Sequence, residues 1–178
     1  MPKFDPKIHH RRSIRLRGYD YSLAGAYFVT IVAWQREMLF GEIADGEMML
    51  NEFGAIVDDE WKRTALVRLN VELGKYVIMP NHIHGILVFV NDDVGATGPV
   101  APTKTLQSGS LGAVMAQFKS IVTKRINKLQ NVFGCPVWQR NYYEHVIRNE
   151  REMDRITRYI ESNPAQWADD DENPDHRA

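Results

Sequence analysis

The segment from Val71 to Val90, VELGKYVIMPNHIHGILVFV, constrains this chain more than any other. Two apolar runs flank Pro80-Asn81, a turn-prone pair, so the text predicts a hairpin of two strands, 71–79 and 82–90. Inside the second strand His82 and His84 alternate with Ile83. Residues two apart on a strand share a face, so both imidazoles project to one side while Ile83 packs on the other. Imidazole binds divalent metals well, and two on one face leave the other coordination positions to a third ligand, water or a substrate oxygen. The same pair is compatible with a solvated sheet face that binds nothing, so the rest of the chain has to decide.

The flanking text supplies the partners of that hairpin. AYFVTIVAW, Ala26 to Trp34, is rich in β-branched and aromatic residues and reads as a buried strand. After Asn51, a helix-capping residue type, Phe53, Ile56, Val57 and Trp61 recur at helical spacing. A second helix, capped near Ser110, carries Leu111, Val114, Met115, Phe118, Val122, Ile126 and Leu129 on one stripe. VWQRNYYEHVIR, 137–148, suggests a further strand. Asn149-Glu150-Arg151-Glu152 has the form of a capping box, opening a last helix that should stop near Asn163 because Pro164 follows. The order strand, helix, strand, strand, helix, strand, helix favours an α+β fold, a ferredoxin-like antiparallel sheet covered by helices on one face.

With 178 residues the chain suits one domain: a basic arm over 1–20, a single domain over 21–167 and an acidic tail over 168–178. NDDVGATGPVAPTKTLQS has no periodicity and reads as a flexible loop, spanning about 91–109. The net charge of −1 conceals segregation. The arm holds Lys3, Lys7, Arg11, Arg12, Arg15 and Arg17 against Asp5 and Asp20, and the 111–130 stretch adds Lys119, Lys124, Arg125 and Lys128 with no acid. Phosphate binding depends on local cationic density more than on net charge, so a basic face is available. A lone Cys135 excludes an internal disulfide and fits a reducing compartment, with the cytoplasm as the default. The amino terminus lacks a signal-peptide core, and no run is long and apolar enough to span a bilayer.

On the last helix Tyr159 and Asn163 are four apart and therefore share a side. If that helix packs beside the histidine strand, Asn163 completes a metal site and Tyr159 places its oxygen near a metal-bound phosphate. Tyr142 and Tyr143 are further candidates, and Tyr143 is the main rival nucleophile.

The texts MPNHIHG and RYIESNP, with the helix after the loop and VWQRNYYEHVIRNE, carry a likeness. The chain resembles the single-tyrosine HUH transposases and, within them, the REP-associated tyrosine transposases of the insertion-sequence-200-like kind, from about Tyr19 to Trp167. The resemblance implies cleavage and rejoining of single-stranded DNA through a 5′-phosphotyrosine, with Tyr159 as nucleophile and His82, His84 and Asn163 as ligands of one divalent metal. Phosphoryl transfer with an amide ligand favours Mg²⁺ or Mn²⁺. The implied partner is hairpin or single-stranded DNA, met by Arg11, Arg12, Arg15, Arg17, Lys119, Lys124, Arg125 and Lys128. Trp138, Tyr142 and Tyr143 are candidates to stack on unpaired bases. Monomer and homodimer both stay open, as do two rival functions: a metal-dependent hydrolase using water, and a non-catalytic DNA-binding protein.

Overall fold

The computed structural model describes residues 24–90 and 109–177, so the basic arm with Arg11, Arg12, Arg15 and Arg17, and all but the end of the expected loop, lie outside the described residues. Four strands, β1 (Gly25–Val32), β4 (Val71–Met79), β5 (His82–Phe89) and β6 (Tyr143–Ile147), form one sheet in the order β4-β5-β1-β6. All three neighbouring pairs are antiparallel. Helix α1 (Glu52–Leu66) connects β1 to β4, and α2 (Leu111–Leu129) connects β5 to β6. Each helix thus joins two strands that have a third between them, which is the split strand-helix-strand pattern of the ferredoxin-like fold. Helix α3 (Glu150–Ser162) follows β6.

Alternation along β1 and β5 divides the core in two. Tyr27, Val29, Ile31, Ile83 and Leu87 point to one side and meet Val57 and Trp61 of α1 and Val114, Phe118 and Val122 of α2. Phe28 and Ile86 point to the other, where Ile156 and Ile160 of α3 and Ile147 cover them. Two helices therefore cover the first face as the sequence leads one to expect, and α3 lies across the second, tied to β4 by a 2.6 Å ion pair from Lys75 to Glu161.

The helix starts follow from their caps. Asn51 Oδ1 accepts the amides of Phe53 and Gly54, and Asn149 Oδ1 accepts the amide of Glu152. The Glu152 carboxylate reaches back one residue further than a standard capping box, accepting from the Arg148 amide at 2.9 Å. The expected strand over 137–148 is interrupted: Trp138 makes an isolated bridge to Ala33, and regular pairing resumes only at Tyr143.

Two pieces were not expected. A small hairpin, β2 (Gly41–Ala44) and β3 (Glu47–Leu50), turns at Asp45-Gly46, both with positive φ as a type I′ turn needs. The acidic end of the chain does not trail away; short 3₁₀ turns at Pro164–Asp169 and Pro174–Arg177 bring Asp170 and Asn173 into buried positions. No described helix is long and apolar enough to cross a membrane.

The glycine that ends MPNHIHG has a packing reason. The Trp61 indole is wholly buried and lies against the sheet over Gly85, where an added Cβ would come 2.3 Å from Cζ2 of the ring. Gly85→Ala is expected to cost about 1–3 kcal/mol through overpacking, read as a lower urea midpoint; an unchanged midpoint would show that Trp61 yields freely.

Candidate metal and tyrosine site

On the α3 side of the sheet, β1 and β5 hold the histidines in register: Val32 is opposite His82 and Thr30 opposite His84. Both rings are buried. Asn81, the turn residue before them, donates from its amide nitrogen to the carbonyls of Arg36 at 3.2 Å and Glu172 at 2.8 Å. Carbonyls only accept, so the amide orientation is fixed and its oxygen faces His82 Nδ1 at 2.8 Å. That nitrogen therefore carries the proton, and the lone pair of the neutral ring lies on Nε2. Burial, reinforced by His84, pushes the His82 pKa well below the usual histidine range, while Asp170 pulls weakly the other way. Thr30 Oγ1, 2.8 Å from His84 Nδ1, holds the orientation of the second ring, as donor or as acceptor.

The two Nε2 atoms face each other at 3.0 Å. Two bare lone pairs at that distance repel, so a proton or a cation has to lie between them. Ligands bound cis to an octahedral cation at about 2.1 Å are about 3.0 Å apart, so the pair fits a metal without rearrangement. A carboxylate completes the group: Asp170 Oδ2 is 4.0 Å from His82 Nε2 and 3.9 Å from His84 Nε2. These three side chains could hold a metal ion.

Asn163 stands just behind. It caps the end of α3, and its amide nitrogen donates to Asp170 Oδ2 at 2.8 Å. Its Oδ1 is buried with no hydrogen-bond partner among the described residues, which leaves an oxygen donor unspent beside the carboxylate. Burial alone would raise the Asp170 pKa. The nearness of His84 and His82, the Asn163 amide and the Glu172 backbone amide outweigh it, and the acid is held below the usual carboxylate range.

Tyr159 reaches the same point from α3. Its Oη lies 3.0 Å from His84 Nε2, and its ring stands 5.1 Å from the imidazole. Burial, then the charges of Asp170, Asp171 and Glu172, push its pKa above the usual phenol value, with a hydrogen bond from Asn163 acting against them. Tyr143 is separated from this centre: it pairs with Thr30 from the β6 side and packs edge-on to Phe28 at 6.1 Å.

Asp170 is the site residue that sequence reasoning missed, since it lay within the stretch taken as an acidic tail. Only the YIxxNP text shortly before it hinted that the chain would still be near the histidines. The stretch after Asp170 is held by Arg36, which pairs with the Glu172 carboxylate at 2.7 Å and donates to the Asp171 carbonyl at 3.2 Å.

No protein-family model matches the chain. A Haemophilus influenzae protein of uncharacterised function is 39% identical over 174 residues, 94% of this chain and 96% of its own length. A second protein of that organism, named "Putative REP-associated tyrosine transposase", is 27% identical over 145 residues, 82% of this chain and 73% of its own. A solved REP-associated tyrosine transposase bound to a REP hairpin superposes with a TM-score of 0.55, covering 84% of this chain and 72% of that one. At 17% identity the superposition shows a shared fold. The chain is thus similar in sequence and in fold to REP-associated tyrosine transposases.

The remaining basic residues divide by what already holds them. Arg125 is engaged by Asp59 at 2.5 Å and Glu60 at 2.6 Å, which fastens α2 to α1. Lys119 donates to the carbonyls of Gln139 and Arg140 at 2.5 and 3.0 Å, and burial draws its pKa down to about 8. Lys124 and Lys128 line an open groove of about 590 Å³ with Arg140 and the fully exposed Phe133. Trp138 is 5% exposed and packs on Phe40 and Phe118, a core role.

Thr30→Val keeps shape and removes the oxygen that orients His84. Isothermal titration with Mn²⁺ is expected to show affinity weakened about 10-fold or more, the effect usual for partners of metal-binding histidines; equal affinity would show that the ring needs no such anchor.

Proposed function

We propose that this chain is a metal-dependent transposase that cuts and rejoins single-stranded DNA, with Tyr159 as the attacking group. The observation that carries the reading is the 3.0 Å approach of Tyr159 Oη to the paired imidazoles, from a helix 75 residues away in sequence. His82 and His84 would hold a Mg²⁺ or Mn²⁺ ion, with Asn163 Oδ1 as the third protein donor and the Asp170 carboxylate beside it. When bound, such an ion polarises a phosphate oxygen and stabilises the charge that builds at phosphorus.

The protein's own contribution is placement. Helix α3 brings the phenol to the spot where the phosphate would be gripped, and Thr30 and Asn81 hold the rings so that both Nε2 atoms point there. The Tyr159 oxygen forms a bond to phosphorus while the bond to the 3′-oxygen breaks. The proton lost by the phenol is balanced by the one gained by the departing 3′-hydroxyl. One phosphodiester replaces another, so the later rejoining step, in which a 3′-hydroxyl attacks the phosphotyrosine, needs no nucleotide cofactor. The transposase with the same fold is described as bound to a REP hairpin, and a hairpin flanked by single strand is the substrate proposed here. Lys124, Lys128 and Arg140 can meet its phosphates while Phe133 offers a stacking surface.

With a hairpin oligonucleotide and Mn²⁺, the intact protein is expected to form a covalent adduct that survives a denaturing gel. Tyr159→Phe should abolish the adduct and leave binding within about 2-fold, since affinity for DNA rests on cationic contacts to phosphates and a neutral phenol hydroxyl adds little. Cleavage that persists in this variant would assign the reaction to water instead. Mn²⁺ titration separates the third donor: Asn163→Ala is expected to weaken binding more than Asp170→Asn, and the reverse order would make the carboxylate the ligand.

A further inference from the structure

Helix α3 carries more than the tyrosine. Arg148, Arg151, Arg155 and Arg158, with Asn149 and Glu152, line one open cavity of about 640 Å³. Arg151, Arg155 and Tyr159 succeed one another at intervals of four, so the arginines run along the flank of α3 that ends at the phenol. All four arginines are exposed.

Such a cluster is costly unless something negative shares it, because guanidinium groups around one concavity repel. The acid in the lining does not meet that need. The Glu152 carboxylate already accepts from His145 Nε2 at 2.7 Å and from the Arg148 amide at 2.9 Å, and it stands 3.7 Å from Arg155. The other acids of α3, Glu150, Asp154 and Glu161, do not line the cavity, and Glu161 is joined to Lys75. Among the described residues no carboxylate bridges Arg148, Arg151 or Arg158 within 4.0 Å. Guanidinium forks match phosphate oxygens in pairs, which suits them to a phosphodiester backbone better than to a single point charge.

We infer that Arg148, Arg151, Arg155 and Arg158 form a phosphate-binding track that holds the backbone of a single DNA strand along α3 beside Tyr159. The inference rests on the DNA-processing reading above and adds the surface that would feed the nucleophile. Because Arg151, Arg155 and Arg158 share one helix with the phenol, the strand and the attacking oxygen would be aligned by the same rigid element. The track is separate from the groove beside Phe133, which lies against α2.

The test is fluorescence anisotropy of the full chain with a single-stranded oligonucleotide and with a blunt hairpin, across a range of salt. Replacing Arg151, Arg155 and Arg158 together by Gln is expected to weaken single-strand binding about 10-fold or more and to lower the slope of log affinity against log salt by about 2, roughly 0.7 per lost phosphate contact. Lys62→Gln with Arg63→Gln on α1, which removes two charges elsewhere, should leave the slope nearly unchanged. Replacing the three arginines by Lys should restore the slope. Unchanged affinity and slope in the Gln variant, or a loss confined to the blunt hairpin, would overturn the assignment. If the triple variant fails to give the circular-dichroism melt of the intact chain, Arg155→Gln alone should lower the slope by about 0.7, and no change would be equally fatal. The adduct assay keeps the two readings apart. Lost binding in a protein that forms no adduct sustains the track and removes the reaction, whereas adduct formation with unaltered binding removes the track.

Discussion

The pairing of β5 with β1 runs unbroken from Gly25 opposite Phe89 to Val32 opposite His82, and every other feature of the site depends on its register. A strand shifted by one residue presents its opposite face. Here a slip would drive His82 and His84 under Trp61 and Phe118 and expose Ile83 and Leu87 to the helix that carries the tyrosine. Both errors are expensive, since each buried aliphatic side chain contributes about 1.5–3 kcal/mol and an unpartnered buried imidazole costs on a similar scale. The apolar face thus secures the polar one. Gly85 adds to the same selection, because only a residue without a side chain leaves room for the Trp61 ring at that point.

On the opposite face the energetic logic changes from packing to satisfaction of polar groups. His82, His84, Asn163 and Asp170 are all buried within a small volume. Such a cluster is stable only where nearly every donor and acceptor has a partner. Thr30, Asn81 and the Glu172 backbone supply most of them. Two features stand out: the Nε2 atoms that face each other at 3.0 Å and the oxygen of Asn163, which has no partner among the described residues. The first lies where Tyr159 ends, its Oη 3.0 Å from His84 Nε2. Buried polar atoms without partners are rare in folded proteins and concentrate at functional sites, so the imbalance carries information about what the site is built to receive.

Much of this was legible in the text because local and tertiary signals agreed. The histidine strand, its hairpin partner, the caps at Asn51, Ser110 and Asn149 and the stop before Pro164 all rest on short-range chemistry. The placement of α3 on the second face was less accessible, since an amphipathic helix states that it packs and not against which side of a sheet. The β2–β3 hairpin escaped because its four-residue strands include Glu42 and Glu47 and are too short to show a period. Arg125 illustrates a different limit. As a sequence element it belonged with Lys124 and Lys128, and only the packing of α2 on α1 reveals that Asp59 and Glu60 have claimed it. The arginines of α3 were passed over for the complementary reason. They are diluted by Glu150, Glu152 and Asp154 along the chain, and only the fold shows that Glu150 and Asp154 stay out of the cavity the arginines line.

Asp170 marks where a local reading has to fail. Five acids close together at the end of a chain look like solvated charge, and nothing in their spacing sets one apart. What singles out Asp170 is the return of the backbone through Pro164–Asp169, which places it within 4.0 Å of both histidines. That return also reaches the other side of the site. The carbonyl of Glu172 accepts from Asn81, the residue whose oxygen fixes the proton on His82 Nδ1. The orientation of the first imidazole is therefore linked, through one amide, to the seating of the last turns of the chain. Tyr159 lies between these two segments, on the helix that joins them in space. The histidine strand, the tyrosine helix and the acidic end consequently form one cooperative unit: displacing the end would free Asn81 to rotate, blur which nitrogen of His82 holds its lone pair, and loosen the electron-rich pocket on which the tyrosine bears.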